Sequence, residues 1–393
     1  MNELMTRRQI ARSALMGSAA ALFASSAKAS SPEATPQSLP EDRRFDARQF
    51  GAAGDGKTDD TAALQKALDA AGTTGGAVLL APGVYLTREL HLRERTALIG
   101  TPAWRYSSSG GSTLRLASAD AFCLLNLTEA LGATVDGIAL EGAYLGSGVH
   151  GIATRREKWG PHEDGFRIER CQVANFSGDG AHLDCAWCFS VRHSEFFGNH
   201  GDGLSLRGWD GFLLDNWFSG NGRAGFAARR ENASVTFTAN RIEWNAEENM
   251  LIDSADGYQI TGNFFDRAGT IGLAIRSSRN PANQITITGN FFKRAGKNAS
   301  STPLNSANLL LDGALGVTCV GNAFQAGRDD GPKGAWGPAY GIIYRGLRNC
   351  VVRNNVLHDG ATQQLLLDQA NHHEGVLVSD NPGRLFTDFN RSW

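Results

Sequence analysis

The sequence lacks the long apolar runs and the strong net charge that are typical of membrane-spanning and nucleic-acid-binding proteins. Among its 393 residues, no segment beyond the N-terminal region has the ~18 consecutive apolar residues of a transmembrane helix. The formal net charge of -2 gives no reason to expect nucleic acid or an anionic membrane surface as a partner. The G-x-x-x-x-G-K-S/T loop of nucleotide-binding proteins is also absent. The sequence therefore predicts neither a membrane span nor a nucleic-acid partner.

Proline and cysteine are scarce and glycine is abundant, with 11, 6 and 47 residues respectively. Frequent glycines predict many tight turns that join short elements rather than long helices. Cys185 and Cys188 form a lone C-x-x-C pair between His182 and His193, which raises the alternative of a zinc site. Because side chains alternate along a strand, these four groups do not readily converge on one ion. We therefore predict structural thiols and no metal site.

The N-terminal residues resemble a twin-arginine export signal. Arg7 and Arg8 precede an Ala-rich apolar run over 14–23, and an A-x-A site ends at Ala29. This pattern predicts a signal peptide over 1–29, a linker over 30–44 and a periplasmic or secreted protein. The alternative is a flexible basic tail.

The sequence repeats from about residue 171 onward. An Asn, Ser or Cys precedes a short apolar segment at steps that begin at 22 to 24 residues and later lengthen, a period that indicates a solenoid. These positions are Cys171, Ser194, Asn216, Asn240, Asn263, Asn290, Asn322 and Asn354. Stacked asparagine amides can bond from coil to coil. Five phenylalanines at matching positions are expected to form an inward stack: Phe196, Phe218, Phe265, Phe292 and Phe324.

Each repeat continues with a second segment in which apolar residues alternate with polar ones, as in 181–184, 204–207 and 250–253. This alternation predicts short strands buried on one face. Two or three such strands per ~23 residues, stacked at about 4.8 Å per coil, predict an all-β fold, a parallel β-helix.

The segment over 45–90 resembles the start of the pectate-lyase-like superfamily with rhamnogalacturonase- and epimerase-type members. An acidic turn, Gly54-Asp55-Gly56, is followed by an amphipathic helix from Thr61 to about Ala71, with Thr58 or Asp59 as its N-cap, and by Pro82-Gly83-Val84-Tyr85. The resemblance implies a right-handed parallel β-helix over 76–393, covered at one end by a cap motif and helix over 45–75. It also implies polysaccharide chemistry without specifying a reaction.

The second strands end in charged residues that are expected to form a row along one face: Asp184, Arg207, Arg229, Asp253, Arg276, Asp312, Arg345 and Asp368. One interpretation is a solvated ion-pair ladder that keeps the coils in register. The other is a polar groove in which arginines bind the carboxylates of an extended glycan. The segment over 150–164, which contains His150, Arg155 and Arg156, is expected to form a loop over this groove.

Two Gly-Asp-Gly turns precede neighbouring strands and carry the candidate catalytic carboxylates, Asp179 and Asp202. At equivalent positions of adjacent coils, their pKa values would be pushed apart, which suits an acid and a base. His182 and His200 are predicted to assist proton transfer. The predicted substrate-binding residues are Asp184, Arg207, Arg229, Arg230 and Trp217.

Asp179 and Asp202 are also similar to the catalytic aspartates of polygalacturonases, which lie in acidic turns of neighbouring coils. The adjacent Asp-Asp pair, the Gly-His-Gly and the Arg-Ile-Lys signature of those enzymes are absent. Pro161-His162-Glu163-Asp164 resembles the Asp-Pro-His-Asp motif of β-helical mannuronan epimerases, with Gly160 in place of the first aspartate.

These patterns predict a secreted enzyme that cleaves or modifies an acidic, uronate-containing polysaccharide as a glycoside hydrolase or a polysaccharide lyase. The alternatives are a uronate C5-epimerase and a non-catalytic glycan-binding or structural β-helix. No cofactor is required, although Asp179, Asp184 and Asp202 offer a calcium site as one alternative. The partner is a polysaccharide or oligosaccharide.

Overall fold

The computed structural model describes residues 43–103, 110–298, 303–329 and 334–390, which form a parallel β-helix with three sheets. The predicted signal peptide lies outside these residues. Parallel pairing joins each strand to its equivalent one coil later, as in Ala181↔Leu204 and Phe226↔Met250. The all-β, parallel β-helix prediction is therefore confirmed.

The front sheet contains the predicted second strands. Its strands are Leu90–His91, Cys123–Asn126, His150–Thr154, Ala181–Arg192, Leu204–Leu214, Phe226–Ala228, Met250–Asp253, Leu273–Arg276, Ala307–Asp312, Tyr340–Arg345 and Gln364–Asp368. Two long strands, Ala181–Arg192 and Leu204–Leu214, continue around a corner into the side sheet, where they pair with Arg167–Glu169 and Asn232–Thr238.

The side and back sheets complete each coil. The side sheet also contains Arg44–Asp46, Ala77–Leu79, Ala97–Ile99, Thr134–Asp136, Arg167–Glu169, Asn232–Thr238, Asp256–Thr261, Asn283–Thr288, Thr318–Val320, Val351–Arg353 and Leu377–Ser379. The back sheet contains Asp55–Asp59, Gly83–Thr87, Ser112–Leu116, Ala139–Glu141, Gln172–Ala174, Glu195–Phe197, Trp217–Ser219, Arg241–Glu243, Phe264–Asp266, Phe291–Lys293 and Ala323–Gln325. The smaller elements among the described residues are two 3-10 helices, Ala47–Phe50 and Pro303–Asn305, and an antiparallel pair, Gly327–Arg328 with Trp336–Gly337.

One α-helix, α1 (Thr61–Thr74), covers the first coils with a buried face of leucines and alanines. Its N-cap is Asp60 rather than the predicted Thr58 or Asp59. The buried Asp60 carboxylate accepts the backbone N–H groups of Ala53 and Gly54, and so ties the preceding glycine-rich turn to the start of the helix. No helix among the described residues is long and apolar enough to span a membrane.

The interior is filled by stacked aromatic and aliphatic side chains. The predicted phenylalanine column is buried, and Phe292 stacks between Phe265 and Phe324 with ring centroids 4.8 Å apart on both sides. Ile242 interrupts the column between Phe218 and Phe265. All six cysteines are free thiols, and burial raises the pKa of Cys171 to about 12, so this thiol stays protonated and unreactive.

A ladder of buried asparagines runs beside this column. Each side-chain oxygen accepts the backbone N–H and the amide N–H of the asparagine one coil before it, and each amide also donates to a backbone carbonyl. The members are Asn216, Asn240, Asn263, Asn290, Asn322, Asn355 and Asn381. The ladder uses Asn355 where the repeat predicted Asn354, whose backbone has a positive φ of 54° at the corner.

Replacing Asn240 by alanine tests this ladder. The substitution leaves the buried backbone N–H of Asn216 without its acceptor, 2.9 Å away in the native protein. We expect the free energy of unfolding in urea to fall by about 2 kcal/mol. Asn280→Ala is the control, because the exposed Asn280 side chain has no hydrogen bond among the described residues. Equal losses in both variants would contradict a stabilising ladder.

Candidate active site

Asp179 and His182 form a hydrogen-bonded pair at the start of the front-sheet strand Ala181–Arg192. One Asp179 oxygen lies 2.8 Å from Nδ1 of His182, and the other accepts the backbone N–H of Asp202 at 2.8 Å. Because an ionised carboxylate only accepts, Nδ1 of His182 carries the proton in the neutral ring, and the lone pair of that tautomer lies on Nε2. The arrangement makes Nε2 a base held in a fixed orientation.

The carboxylate of this pair is ionised despite its burial. Burial raises the pKa of Asp179, but the hydrogen bonds from His182 and from the backbone N–H of Asp202 outweigh burial, so the pKa lies below its ordinary value. The carboxylate therefore stays available to hold His182.

His150, one coil earlier, packs against the same pair. Its ring stacks on His182 with centroids 4.4 Å apart, and its Nδ1 accepts the backbone N–H of Asp179 at 2.9 Å. Burial lowers the pKa of His150 to about 4, although the carboxylate of Asp179 acts in the opposite direction. His150 is therefore a neutral acceptor at neutral pH, even though its Nδ1 lies only 3.5 Å from an Asp179 oxygen.

This burial predicts a pH dependence of stability. The folded pKa of His150 lies below the model-peptide value of 6.5, so the unfolded chain binds more protons as pH falls from about 6.5 to about 4. The lowered pKa of Asp179 acts in the same direction at still lower pH. We expect the free energy of unfolding to decrease over this range, and more steeply in the wild type than in His150→Gln, whose amide cannot titrate. Identical slopes in urea titrations of both proteins would contradict this expectation.

A cleft of about 590 Å³ lies in front of His182. The positions that flank His182 on the neighbouring coils are small, Ala153 before it and Ser205 after it, so the imidazole lies in a depression of the sheet. The residues that line the cleft are Phe122, Thr154, Arg155, Arg156, Glu157, His182, Asp184, Arg207 and Arg230.

Four arginines make the cleft basic. Arg207 and Arg230 each lie 3.5 Å from one oxygen of Asp184, and Arg207 also pairs with Glu231 at 2.8 Å. The Arg155 guanidinium lies 4.9 Å from the centre of the Phe122 ring and has no ion pair among the described residues. Guanidinium groups bind carboxylates through paired hydrogen bonds, so the cleft suits an anionic ligand.

The sequence predicted a loop over 150–164, but His150–Thr154 is a front-sheet strand that pairs with both neighbouring coils. The remaining residues, 155–164, form the loop and make one wall of the cleft. Arg156 binds the buried Asp164 and the carbonyl of Thr128, which fixes both ends of the loop. Trp159, in the middle of the loop, stacks on Trp209 with centroids 3.6 Å apart. Thr128 and Trp209 therefore anchor the wall to the coils at two points.

The two Gly-Asp-Gly carboxylates are stacked but have different partners. Asp202 is 1% exposed, binds Arg229 through both oxygens and accepts the N–H of Ala224 at 3.0 Å. Arg229 therefore turns toward Asp202 rather than into the cleft. This buried ion pair holds two coils together and leaves Asp202 without access to a ligand.

Two further predicted residues lie outside the cleft. His200 stacks on Tyr144 with centroids 4.6 Å apart, and its ring has no hydrogen bond to Asp179 or Asp202 among the described residues. Trp217 lies on the back sheet, where its indole N–H donates to Glu243 at 2.8 Å. In the same column Phe264 and Phe291 stack on each other at 5.0 Å, so their faces are turned toward each other and not toward a sugar.

The row of charged strand ends is only partly an ion-pair ladder. Register places Asp184 beside Arg207, Asp253 beside Arg276 and Asp312 beside Arg345. Arg345 binds Asp312 at 2.6 Å, but Arg276 turns to Glu248 and Asp368 to His372.

A metal ion does not fit these groups. Ring and carboxylate atoms of His150, Asp179 and His182 lie within 4.8 Å of one another. However, the backbone N–H of Asp179 points at Nδ1 of His150, and a donor in that position repels a cation. The carboxylates suggested for calcium do not converge either, because arginines bind Asp184 and Asp202. No role for a metal ion is therefore assigned to these residues.

Sequence reasoning missed part of the cleft. Phe122 and Thr154 carry no chemical signal, and the contact between His150 and His182 depends on ring orientation. The alignment of the coils could have identified His150. Ile152 pairs with Ala181, and this register places His150 at the position equivalent to Asp179, one coil earlier.

Two protein-family models match the chain. Residues 45–118 match "Rhamnogalacturonase A/epimerase, pectate lyase-like", and residues 151–324 match the right-handed β-helix region. The second match confirms the predicted handedness.

Several solved structures share the fold at low sequence identity. The A-module of mannuronan C-5 epimerase AlgE6 from Azotobacter vinelandii is 20% identical over 86% of this chain and 99% of that chain, with a TM-score of 0.58. DFA-IIIase from Arthrobacter chlorophenolicus is 15% identical over 85% and 93%, with a TM-score of 0.62. An exopolygalacturonase from Thermotoga maritima is 13% identical over 86% and 92%, with a TM-score of 0.59. Together, these matches show that the chain has the right-handed parallel β-helix fold, and that residues 45–118 resemble the rhamnogalacturonase A/epimerase, pectate lyase-like family.

Proposed function

We propose that the protein is an exported enzyme that removes the proton beside the carboxyl group of a uronate residue in an acidic polysaccharide. The observation that carries this proposal is that Nε2 of His182, oriented by Asp179, shares one cleft with four arginines. Support comes from two similar structures whose names state action on uronate polymers, mannuronan and polygalacturonate. The export signal over 1–29 is part of the same proposal.

The chemistry follows from the groups in the cleft. His182 Nε2 accepts the proton from carbon 5, and the electron pair moves into the carboxyl group, which gains negative charge. Arg155, Arg207 and Arg230 stabilise that charge at a preorganised site. Return of a proton from water to the opposite face of carbon 5 gives the epimer. Breakage of the bond between carbon 4 and its substituent oxygen, which takes a proton from water and leaves as a hydroxyl group, gives the 4,5-unsaturated product.

Asp179 acts through His182 as a positioning residue. It selects the tautomer with a free Nε2 and stabilises the imidazolium that forms when the ring takes the proton. Asp202 and Arg229 belong to the scaffold in this proposal, and His200 has no role in it.

Hydrolysis is the second candidate, because Glu157 and Asp184 both line the cleft. A glycoside hydrolase needs one carboxyl group as acid and a second as base or nucleophile. Asp184 already binds two arginines, which favours proton abstraction over hydrolysis.

Incubation of the protein with a panel of uronate glycans tests the proposal. An ultraviolet-absorbing unsaturated product identifies a lyase, and inverted carbon 5 without cleavage identifies an epimerase. New reducing ends with neither change would establish hydrolysis instead. Binding without turnover on every glycan would point to a glycan-binding protein.

A further inference from the structure

The cleft continues into two neighbouring depressions. Arg155 lines both the cleft and a depression of about 370 Å³, whereas Arg156 lines both the cleft and a depression of about 600 Å³. The two depressions share Arg93, Thr128 and Glu129. These shared residues join the three cavities into one trench between His182 and α1.

The larger depression, here called the cap depression, lies between α1 and the loop over 155–164. Its α1 residues are Asp69, Gly72 and Thr73, and the loop contributes Gly160, Pro161 and His162. Leu131 and Pro161 offer apolar surface that suits the C–H faces of a sugar ring.

The charge of the trench changes along its length. In the cap depression Arg93 binds Asp69 at 2.7 Å, and Arg156 is bound to the buried Asp164. Glu129 is exposed at the shared wall and has no ion pair among the described residues. Arg155 lines both the cleft and the smaller depression, so these two attract a carboxylate, whereas Glu129 repels one in the cap depression.

We propose that the trench binds a heteroglycan, with a uronate residue at His182 and neutral residues beside Glu129. This proposal rests on the proposed function for the chemistry at His182. The preference for a heteroglycan, however, can be measured by binding alone, without turnover. Hydroxyl groups of neutral sugars can donate hydrogen bonds to the Glu129 carboxylate. The carboxylate of a second uronate residue at this position would instead be repelled by Glu129.

Titration calorimetry on the full chain tests the preference with two probes, in a His182→Gln background that prevents turnover. The probes are a hyaluronan hexasaccharide, which alternates glucuronate with N-acetylglucosamine, and hexamannuronate, which carries a carboxylate on every residue. Adding Glu129→Lys should raise the affinity for hexamannuronate relative to hyaluronan by roughly two- to fivefold, the range of a partly exposed charge pair. This change in ratio should shrink at ~1 M salt, where the screening length is about 3 Å.

Glu374→Lys is the matched control. Glu374 is an exposed glutamate near the other end of the coils, 3.5 Å from Arg348, so the affinity ratio should stay unchanged. An unchanged ratio in Glu129→Lys, or no binding of either probe, would overturn the heteroglycan specificity. If the ratio shifts but no glycan undergoes proton abstraction, the specificity stands and the proposed chemistry fails.

Discussion

Replacing His182 by glutamine is expected to lower the rate of proton abstraction from a uronate glycan by about 10²- to 10⁴-fold, the usual contribution of a positioned base. Glutamine retains a side chain that can bind Asp179, but its amide cannot accept the proton. The initial rate of formation of the unsaturated or epimerised product measures the effect. The KM should change much less than kcat, because the arginines of the cleft remain.

The control for this variant is His193→Gln. His193 also lies beside an aspartate, 3.4 Å from Asp215, but its side chain is exposed on the side of the coil. We expect wild-type turnover from it. His200→Gln distinguishes the proposal from the sequence-based prediction. A catalytic His200, as the sequence predicted, would make this variant lose turnover, whereas the proposal expects wild-type turnover. A His182→Gln enzyme with wild-type kcat would rule out the proposed base.

Replacing Asp202 by asparagine is expected to destabilise the fold while leaving turnover within about tenfold of the wild type. The substitution removes the charge that compensates Arg229, and breaking a fully buried ion pair costs about 3 to 5 kcal/mol. The Arg229 side chain is 29% exposed, so we expect a loss of only about 2 to 3 kcal/mol in the free energy of unfolding. Urea denaturation measures the loss, and assays well below the unfolding midpoint measure turnover.

Asp312→Asn is the control for this prediction. Arg345 also binds both carboxylate oxygens of Asp312, at 2.6 and 2.7 Å, but both side chains are partly exposed. Exposed pairs contribute about 0 to 1 kcal/mol, so its loss should be correspondingly small. If Asp202→Asn keeps full stability but abolishes turnover, Asp202 is a catalytic carboxylate and the scaffold role is wrong.

The architecture could be predicted because stacked coils turn a repeat in the sequence into a column in space. The spacing of the asparagines was sufficient to place the ladder, apart from the one-residue offset at Asn355. The same logic stacked Asp179 beneath Asp202, whose backbone N–H does bind the Asp179 carboxylate.

The partners of these side chains could not be predicted in the same way. Asp179 and Asp202 have the same sequence environment, yet one binds an imidazole and the other a guanidinium. Asp179 binds His182, three residues later in the same coil, whereas Ser205 occupies the equivalent position after Asp202, and Arg229 reaches Asp202 from the next coil. His200 stacks on Tyr144 and does not line the cleft.

In the proposed reaction, His182 abstracts the proton beside a uronate carboxyl group. The most direct measurement is nuclear magnetic resonance of uronate glycans incubated with the wild type or His182→Gln in heavy water. We expect the wild type to introduce deuterium at carbon 5 or a double bond between carbons 4 and 5, and His182→Gln to do neither at a comparable rate. Glycosidic cleavage by the wild type that leaves every carbon 5 proton in place would contradict this mechanism.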